Sequence, residues 1–276
     1  MARGKRHRAP VEVLLDRLDA KHSSGLAADG RRFGVRPGAP GARVLMRPGR
    51  KQKGSLLEVL EPPPDGVTPR CPVFGVCGGC QLQELPLSSQ IHHKLDLLKR
   101  LVEIGEQPGD AYIHVHGVRP TCADGYHYRN KLELSFGARR FDRDGKPEDG
   151  GQGSFLGFHP PGWYSKIVPL RGCPLGSLAM QPVIACVVDM ALSPAWNSHT
   201  HTGTWRHLVI RDAGTVDAPA MLVTLVTSSD ATAEAVQVVA DAVAAVPGVK
   251  SVLHVVTDGV AEVARGELKA VLHGEA

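Results

Sequence analysis

Cys71, Cys77 and Cys80 fall within the single run Arg70-Cys71-Pro72-Val73-Phe74-Gly75-Val76-Cys77-Gly78-Gly79-Cys80, and no packing requirement calls for thiols at that density beside a Gly-Gly. They are read as metal ligands. Gly78 and Gly79 let the backbone bend so that the Cys77 and Cys80 sulfurs converge, and the spacer brings Cys71 in from a third side. A fourth ligand must come from a distant part of the chain, and this constrains the fold more than any other feature. Cys186, inside the apolar segment Pro182–Leu192, is a small buried hydrophobe. Cys122, in a loop after Pro120-Thr121, stays open on chemistry alone. Cys173 is favoured, because Gly172 before it is flexible and Pro174 after it ends the turn. A structural zinc site more often uses two Cys-x-x-Cys knuckles, of which the chain has one, and the run is not the bacterial ferredoxin pattern. Spacing alone leaves zinc and an iron–sulfur cluster both open.

At 276 residues and 42% hydrophobic, the chain can bury the cores of two domains. It has no apolar run long enough to span a bilayer, and Met1 to Pro10 is polar and basic without an apolar signal region. A cytoplasmic, membrane-free, monomeric protein is expected. A reducing compartment disfavours disulfides and supports metal ligation as the use of the cysteines.

Charge is unevenly distributed. Residues 1–70 hold 15 Lys+Arg against 7 Asp+Glu, whereas the remaining residues are net acidic, 17 against 21. The basic residues lie in short alternating segments broken by Gly and Pro, the pattern of a small β-barrel with basic loops that can track a phosphate backbone. Arg31, Arg32, Arg50, Lys51 and Lys53 are the candidate RNA contacts there. A solvated basic face with no ligand is the alternative.

Along the chain, residues 1–10 read as a disordered basic tail and 11–66 as the barrel, with strands at Val11–Leu18, Arg32–Arg36, Ala42–Met46 and Ser55–Leu60. Glu61-Pro62-Pro63-Pro64-Asp65-Gly66 can continue neither strand nor helix, and 67–87 is the cysteine loop. Residues 88–276 form an α+β domain. Its helices are expected at Ser88–Ile104, Leu178–Leu192 and Thr232–Ala245. Its strands are expected at Tyr128–Phe136, Ser154–Phe158, Trp205–Ile210, Met221–Val226, Val249–Val256 and Val260–Ala264, in a mostly antiparallel sheet, with Phe141–Gly153 an exposed hairpin tip. Arg129 and Lys131 share one strand face that can meet phosphate or only solvent. Arg206 and Arg211 flank a strand and either contact RNA or cap the sheet. Phe158 and His159 can stack on an extruded base, or be a buried Phe beside a satisfied His. His199, His201 and His207 read better as a polar loop than as a zinc site.

Thr68 to Gln83, with Gln90 and Lys94 after it, resembles the cysteine segment of the iron–sulfur RNA (uracil-5-)methyltransferases, in particular the bacterial ribosomal RNA type. Tyr128-Arg129-Asn130-Lys131, Leu156-Gly157-Phe158-His159, Gly172-Cys173-Pro174-Leu175 and Arg206-His207-Leu208-Val209-Ile210-Arg211 are similar to successive blocks of that family, in the same order, and Gly25 to Leu60 resembles its TRAM domain, an RNA-binding barrel of the OB type. The resemblance implies a [4Fe–4S] cluster on Cys71, Cys77, Cys80 and Cys173, and RNA as partner, ribosomal RNA favoured over transfer RNA. In that family a Rossmann-like domain binds S-adenosylmethionine and carries a cysteine that attacks C6 of uracil. Neither its glycine-rich loop nor a Ser-Cys-Asn-Pro context is found here, and Val271–Ala276 falls near where that domain would begin. The expected fold class is therefore β plus α+β, an OB-like barrel followed by an α+β domain with the iron–sulfur loop. No Rossmann-like methyltransferase domain and no catalytic residue are expected, residues 88–119 pack on the missing domain, and S-adenosylmethionine belongs to the full-length enzyme only. The expected function is the RNA-recognition and cluster-binding portion of such an enzyme, inactive alone; a non-catalytic iron–sulfur RNA-binding adaptor is the alternative.

Overall fold

The computed structural model describes residues 8–105, 117, 119–120, 122–142 and 151–275. The expected basic tail up to residue 7, most of the expected hairpin tip and much of the segment after residue 105 lie outside these. The chain divides into two compact units, residues 1–75 with 79–124, and residues 76–78 with 125–276.

In the first unit, strands β1 (Val11–Leu18), β2 (Ser23–Ala27), β3 (Arg32–Val35), β4 (Arg43–Pro48) and β5 (Lys53–Glu61) close a barrel in the order β1-β2-β3-β5-β4. From Glu12 to Asp16 β1 alternates, Val13 and Leu15 pointing inward to meet Phe33, Val35, Val44 and Met46 while Glu12, Leu14 and Asp16 face out, before the register shifts between Leu15 and Arg17. β2 carries none of the usual strand residues. It exists because β1 and β3 pair with it on either side, and Gly25 lets β1 approach so closely that a Cβ there would sit 1.8 Å from the Leu14 carbonyl oxygen. β3 and β5 run parallel, through Gly34 opposite Lys53, and this pairing closes the barrel. Helix α1 (Leu87–Gly105) follows the cysteine segment, and Leu97 packs against Leu18, Ala39, Leu82 and Leu85. Arg100 adds a guanidinium bond to the Leu18 carbonyl at 2.5 Å.

The second unit is a seven-stranded sheet, order β12-β11-β10-β9-β6-β7-β8, from β6 (Lys131–Arg139), β7 (Gln152–Phe158), β8 (Val168–Pro169), β9 (Trp205–Asp212), β10 (Met221–Thr227), β11 (Val249–Val256) and β12 (Glu267–His273). Helices α2 (Met180–Asp189) and α3 (Ala233–Ala244) cover one face. Each buries a stripe at helical spacing, Met180, Val183, Ile184 and Val187 on α2 and Val236, Val239, Ala240 and Val243 on α3. Every Val or Ile so buried contributes about 1.5–3 kcal/mol. Thr232 caps α3, its hydroxyl accepting from the Ala235 N–H at 3.2 Å.

The sheet is mostly antiparallel, as expected, and its one parallel strand pair among the described residues lies where α3 does. β10 and β11 pair in parallel from Leu222 opposite Ser251 to Thr227 opposite Val256, because a helical crossover returns the chain to the same end of the sheet. Val260–Ala264, expected as a strand, is irregular; the final strand begins at Glu267 instead.

Candidate metal centre and RNA-facing residues

In the first unit the cysteine segment starts with a turn in which the Phe74 N–H donates to the Cys71 carbonyl at 3.1 Å. Gly75, at φ 81°, supplies the left-handed conformation the turn needs. The Gln83 amide donates to Cys80 Sγ at 3.0 Å. Leu82 and Leu85, both buried, anchor the segment just beyond Cys80. Arg70 is ion-paired with Asp124 at 2.6 Å, which ties the loop carrying Cys122 to the stretch ahead of Cys71. Cys71, Cys80 and Cys122 thus belong to one unit.

In the second unit, Gly78 donates its N–H to the His159 carbonyl at 3.1 Å, and a Cβ on Gly78 would sit 2.7 Å from that oxygen. Here a close backbone approach, rather than a bend, demands the glycine. Cys173 is held by Gln181 of α2. The Gln181 Oε1 accepts the Cys173 N–H at 2.8 Å, and its Nε2 donates to the carbonyls of Cys173 at 3.0 Å, Ser177 at 2.9 Å and Gly176 at 3.3 Å. His127 and Arg129 N–H groups bond the Pro174 and Leu175 carbonyls, so the loop is held on both sides. All six cysteines are half-buried. Burial and the neighbouring Asp189 push the Cys186 thiol up, which suits a packed residue and not a ligand. Cys71 and Cys80 lie in the first unit and Cys77 and Cys173 in the second, and thiolate sulfur is the donor type that a soft metal ion or an iron–sulfur cluster takes.

The candidate RNA contacts divide sharply. Arg50, Lys51 and Lys53 stand exposed on one tight turn, which the Gly49 N–H closes onto the Lys53 carbonyl at 2.6 Å. Lys51 takes a left-handed φ of 52° to make it. Arg31 and Arg32 are instead paired, with Asp29 at 2.7 Å and bidentately with Asp16 at 2.5 and 2.8 Å, and these bonds hold both carboxyls below their ordinary range. Lys131 is paired with Glu133 at 2.8 Å, and Arg129 is held chiefly through its backbone. Phe158 packs against the core, and His159 Nδ1 donates to the Lys166 carbonyl at 2.9 Å.

Arg206 departs most from expectation. It is 0% exposed and occupies a bulge: β9 pairs with β10 at Trp205 and at His207, leaving Arg206 the extra residue. Its guanidinium donates to the Thr257 and Ala261 carbonyls at 3.0 and 3.1 Å and lies 3.8 Å from the centre of the Trp196 ring. Buried in this way it cannot reach an RNA, and it braces the irregular segment before β12. Around it, burial pushes Glu262 up and His159 and His207 down, His207 to about 4. His207 faces Ser135 at 3.3 Å, and His201 stacks on Trp196, so the histidines do not gather on one point.

Gln83 and Gln181 received no role in the sequence reading. The sequence signal for Gln181 is an amide at the start of a largely apolar helix.

No protein-family model matches the chain. Among curated proteins it is similar to an uncharacterized RNA methyltransferase of Caldanaerobacter subterraneus subsp. tengcongensis, 31% identical over 210 residues, covering 74% of this chain and 44% of that one. A second, from Chlorobaculum tepidum, is 32% identical over 195 residues, 63% of this chain and 38% of the relative. A third, from Clostridium tetani, is 26% identical and takes in 99% of this chain and 58% of its own length. These relatives are named RNA methyltransferases. The chain spans about half the length of the curated relatives it matches. In fold it is similar to the crystal structure of Pyrococcus abyssi tRNA (uracil-54, C5)-methyltransferase in complex with S-adenosyl-L-homocysteine, with a TM-score of 0.62 at 18% identity over 95% of this chain and 55% of that one. This corrects the expected fold class. Nearly the whole chain superposes on a methyltransferase, so the expectation of a chain lacking a methyltransferase domain does not stand.

Proposed function

We propose that this protein acts in S-adenosylmethionine-dependent methylation of uracil C5 in RNA, in the cytoplasm, with ribosomal RNA the favoured substrate. Similarity to RNA methyltransferases over 210 residues carries the reading. In it the closed barrel acts as a TRAM-type RNA holder, with Arg50, Lys51 and Lys53 the leading phosphate contacts because they are exposed on one turn. Arg31, Arg32, Arg129 and Lys131 add positive charge that neighbouring carboxylates or the backbone already position. Cys71, Cys77, Cys80 and Cys173 would hold a [4Fe–4S] cluster. When bound, such a cluster supplies a structural tie among four thiolates, and its binding free energy offsets the cost of closing the long chain segment between Cys80 and Cys173. Gln83 and Gln181 orient two of the four ligands.

Anaerobic purification should give a brown, iron-containing protein, and Cys77→Ser or Cys173→Ser should remove the colour. Stoichiometric zinc without iron would refute the cluster, and colour kept in Cys173→Ser but lost in Cys122→Ser would reassign the fourth ligand. RNA binding should weaken with salt by a slope of about −0.7 per phosphate contact on single strands. Changing Arg50, Lys51 and Lys53 together to Glu should flatten that slope; an affinity indifferent to salt would remove the barrel as anchor.

A further inference from the structure

The reading above leaves unused a side-chain cluster on the first half of α1. His92, His93 and Asp96 each offer one ligand atom, and the three atoms all lie within 4.8 Å of one another. His92 Nε2 is 3.3 Å from Asp96 Oδ2, one helical turn along. His93 stands three residues before Asp96, so the same carboxylate lies next to both imidazoles. The two rings meet edge-on, with centroids 5.5 Å apart and planes at 68°, rather than stacking face to face. Asp65, which precedes the helix and accepts from the Ser89 hydroxyl, is a second carboxylate whose charge reaches His93. Partial burial disfavours the His93 imidazolium, leaving its lone pair free.

Two imidazole nitrogens and one carboxylate oxygen are the donor set of a borderline divalent cation, whereas the thiol set suits softer centres. We propose that His92, His93 and Asp96 form a second metal site, of the Zn²⁺ class and distinct from the four cysteines. Zinc–ligand distances of about 2.0–2.2 Å require the three atoms to draw together from their present spread. The side chains of His92 and Asp96 are 69% and 48% exposed, so they can do so by rotamer adjustment. Three protein ligands leave a coordination position for water or an anionic oxygen. The site does not depend on the proposed function.

Calorimetric titration of Zn²⁺ into the full chain tests the proposal against the double variant His92→Ala/His93→Ala and against Asp96→Asn. The wild type should bind one equivalent of Zn²⁺ more than the double variant, and Asp96→Asn should weaken that equivalent by about tenfold or more. Cys77→Ser, which alters only the thiol set, should keep it. With Cu²⁺ as the probe, paramagnetic resonance should show coupling to two nitrogens in the wild type and none from this site in the double variant. Equal zinc stoichiometry in the wild type and the double variant would overturn the site, as would loss of the equivalent in Cys77→Ser or a Cu²⁺ spectrum without two-nitrogen coupling. Circular dichroism of the double variant, expected to match the wild type, separates loss of ligands from loss of the helix.

Discussion

Replacing Gln181 by Ala removes the amide that holds the Cys173 loop. The side chain makes four hydrogen bonds to that loop, three of them between 2.8 and 3.0 Å. A typical bond contributes about 0.5–1.5 kcal/mol net, and at this half-buried position water can reach some of the released carbonyls. The Cys173 N–H, left without its acceptor, keeps most of its desolvation cost. The expected loss is about 2 kcal/mol, which for a unit of this size lowers Tm by roughly 4–8 °C. Gln181→Glu is the sharper test. Its carboxylate still accepts the Cys173 N–H, but the other oxygen now faces the carbonyls of Cys173, Gly176 and Ser177, so at neutral pH it should be worse than Ala. Thermal unfolding followed by circular dichroism gives Tm, and the rate of iron release to a chelator reports on the loop. Unchanged Tm and iron release in Gln181→Ala, or a Glu variant as stable as the wild type, would refute the idea that this amide positions the ligand.

Three further outcomes follow from the buried polar groups and the glycine at the ligand loop. His207 ordinarily titrates near 6.5 and is held down to about 4 by burial, then by Arg206, so the unfolded chain binds a proton that the folded chain does not. Its contribution is nil above pH 6.5 and costs about 3 kcal/mol of stability as pH falls to 4; urea unfolding at pH 7.5 and 5 should show a shallower loss in His207→Gln, and an identical loss would refute it. Arg206→Met should destabilise the second unit by about 3 kcal/mol, since it strands two carbonyls and removes a ring contact, while RNA affinity of the folded chain stays the same; weaker RNA binding at unchanged stability would restore the residue to the RNA face. Gly78→Ala should lower Tm although it lies on a surface loop, because the added Cβ meets the His159 carbonyl oxygen; an unchanged melting curve would show that the approach relaxes freely.

Elements with strong period were legible from sequence. The strand expected at Val11–Leu18 is β1 to the residue, Val249–Val256 is β11, and Thr232 caps α3 at the start of the expected helix. What escaped was structure imposed from outside the segment. Ser23–Ala27 is a strand only because its neighbours pair with it, and Val260–Ala264 alternates like a strand but spends its backbone on Arg206. The parallel pairing of β10 and β11 was hidden because nothing local distinguishes a crossover helix from a packed one. At the candidate centre the thiols were legible by type and spacing. The amides that hold them were not, since a lone Gln acquires its role from a loop that reaches it in the fold. Arg206 was misplaced because a bulge shifts which face a residue serves, and alternation cannot reveal an inserted residue.

The topology of the second unit also sets an order of events in time. β10, α3 and β11 lie within residues 221–256, so this βαβ piece can gather from a short stretch of chain soon after synthesis. β6 finds its partner only when residues 131–135 meet residues 207–211, and the Cys173 loop lies within the span that this encounter closes. Because the His127 and Arg129 N–H groups that bond to Pro174 and Leu175 flank β6, the loop acquires its shape only after that pairing. Under the proposed function, Cys173, the cysteine most distant in sequence from the Cys71–Cys80 run, would complete the thiol set only once that pairing holds its loop. In that reading, insertion of the proposed cluster would wait on a pairing between distant strands.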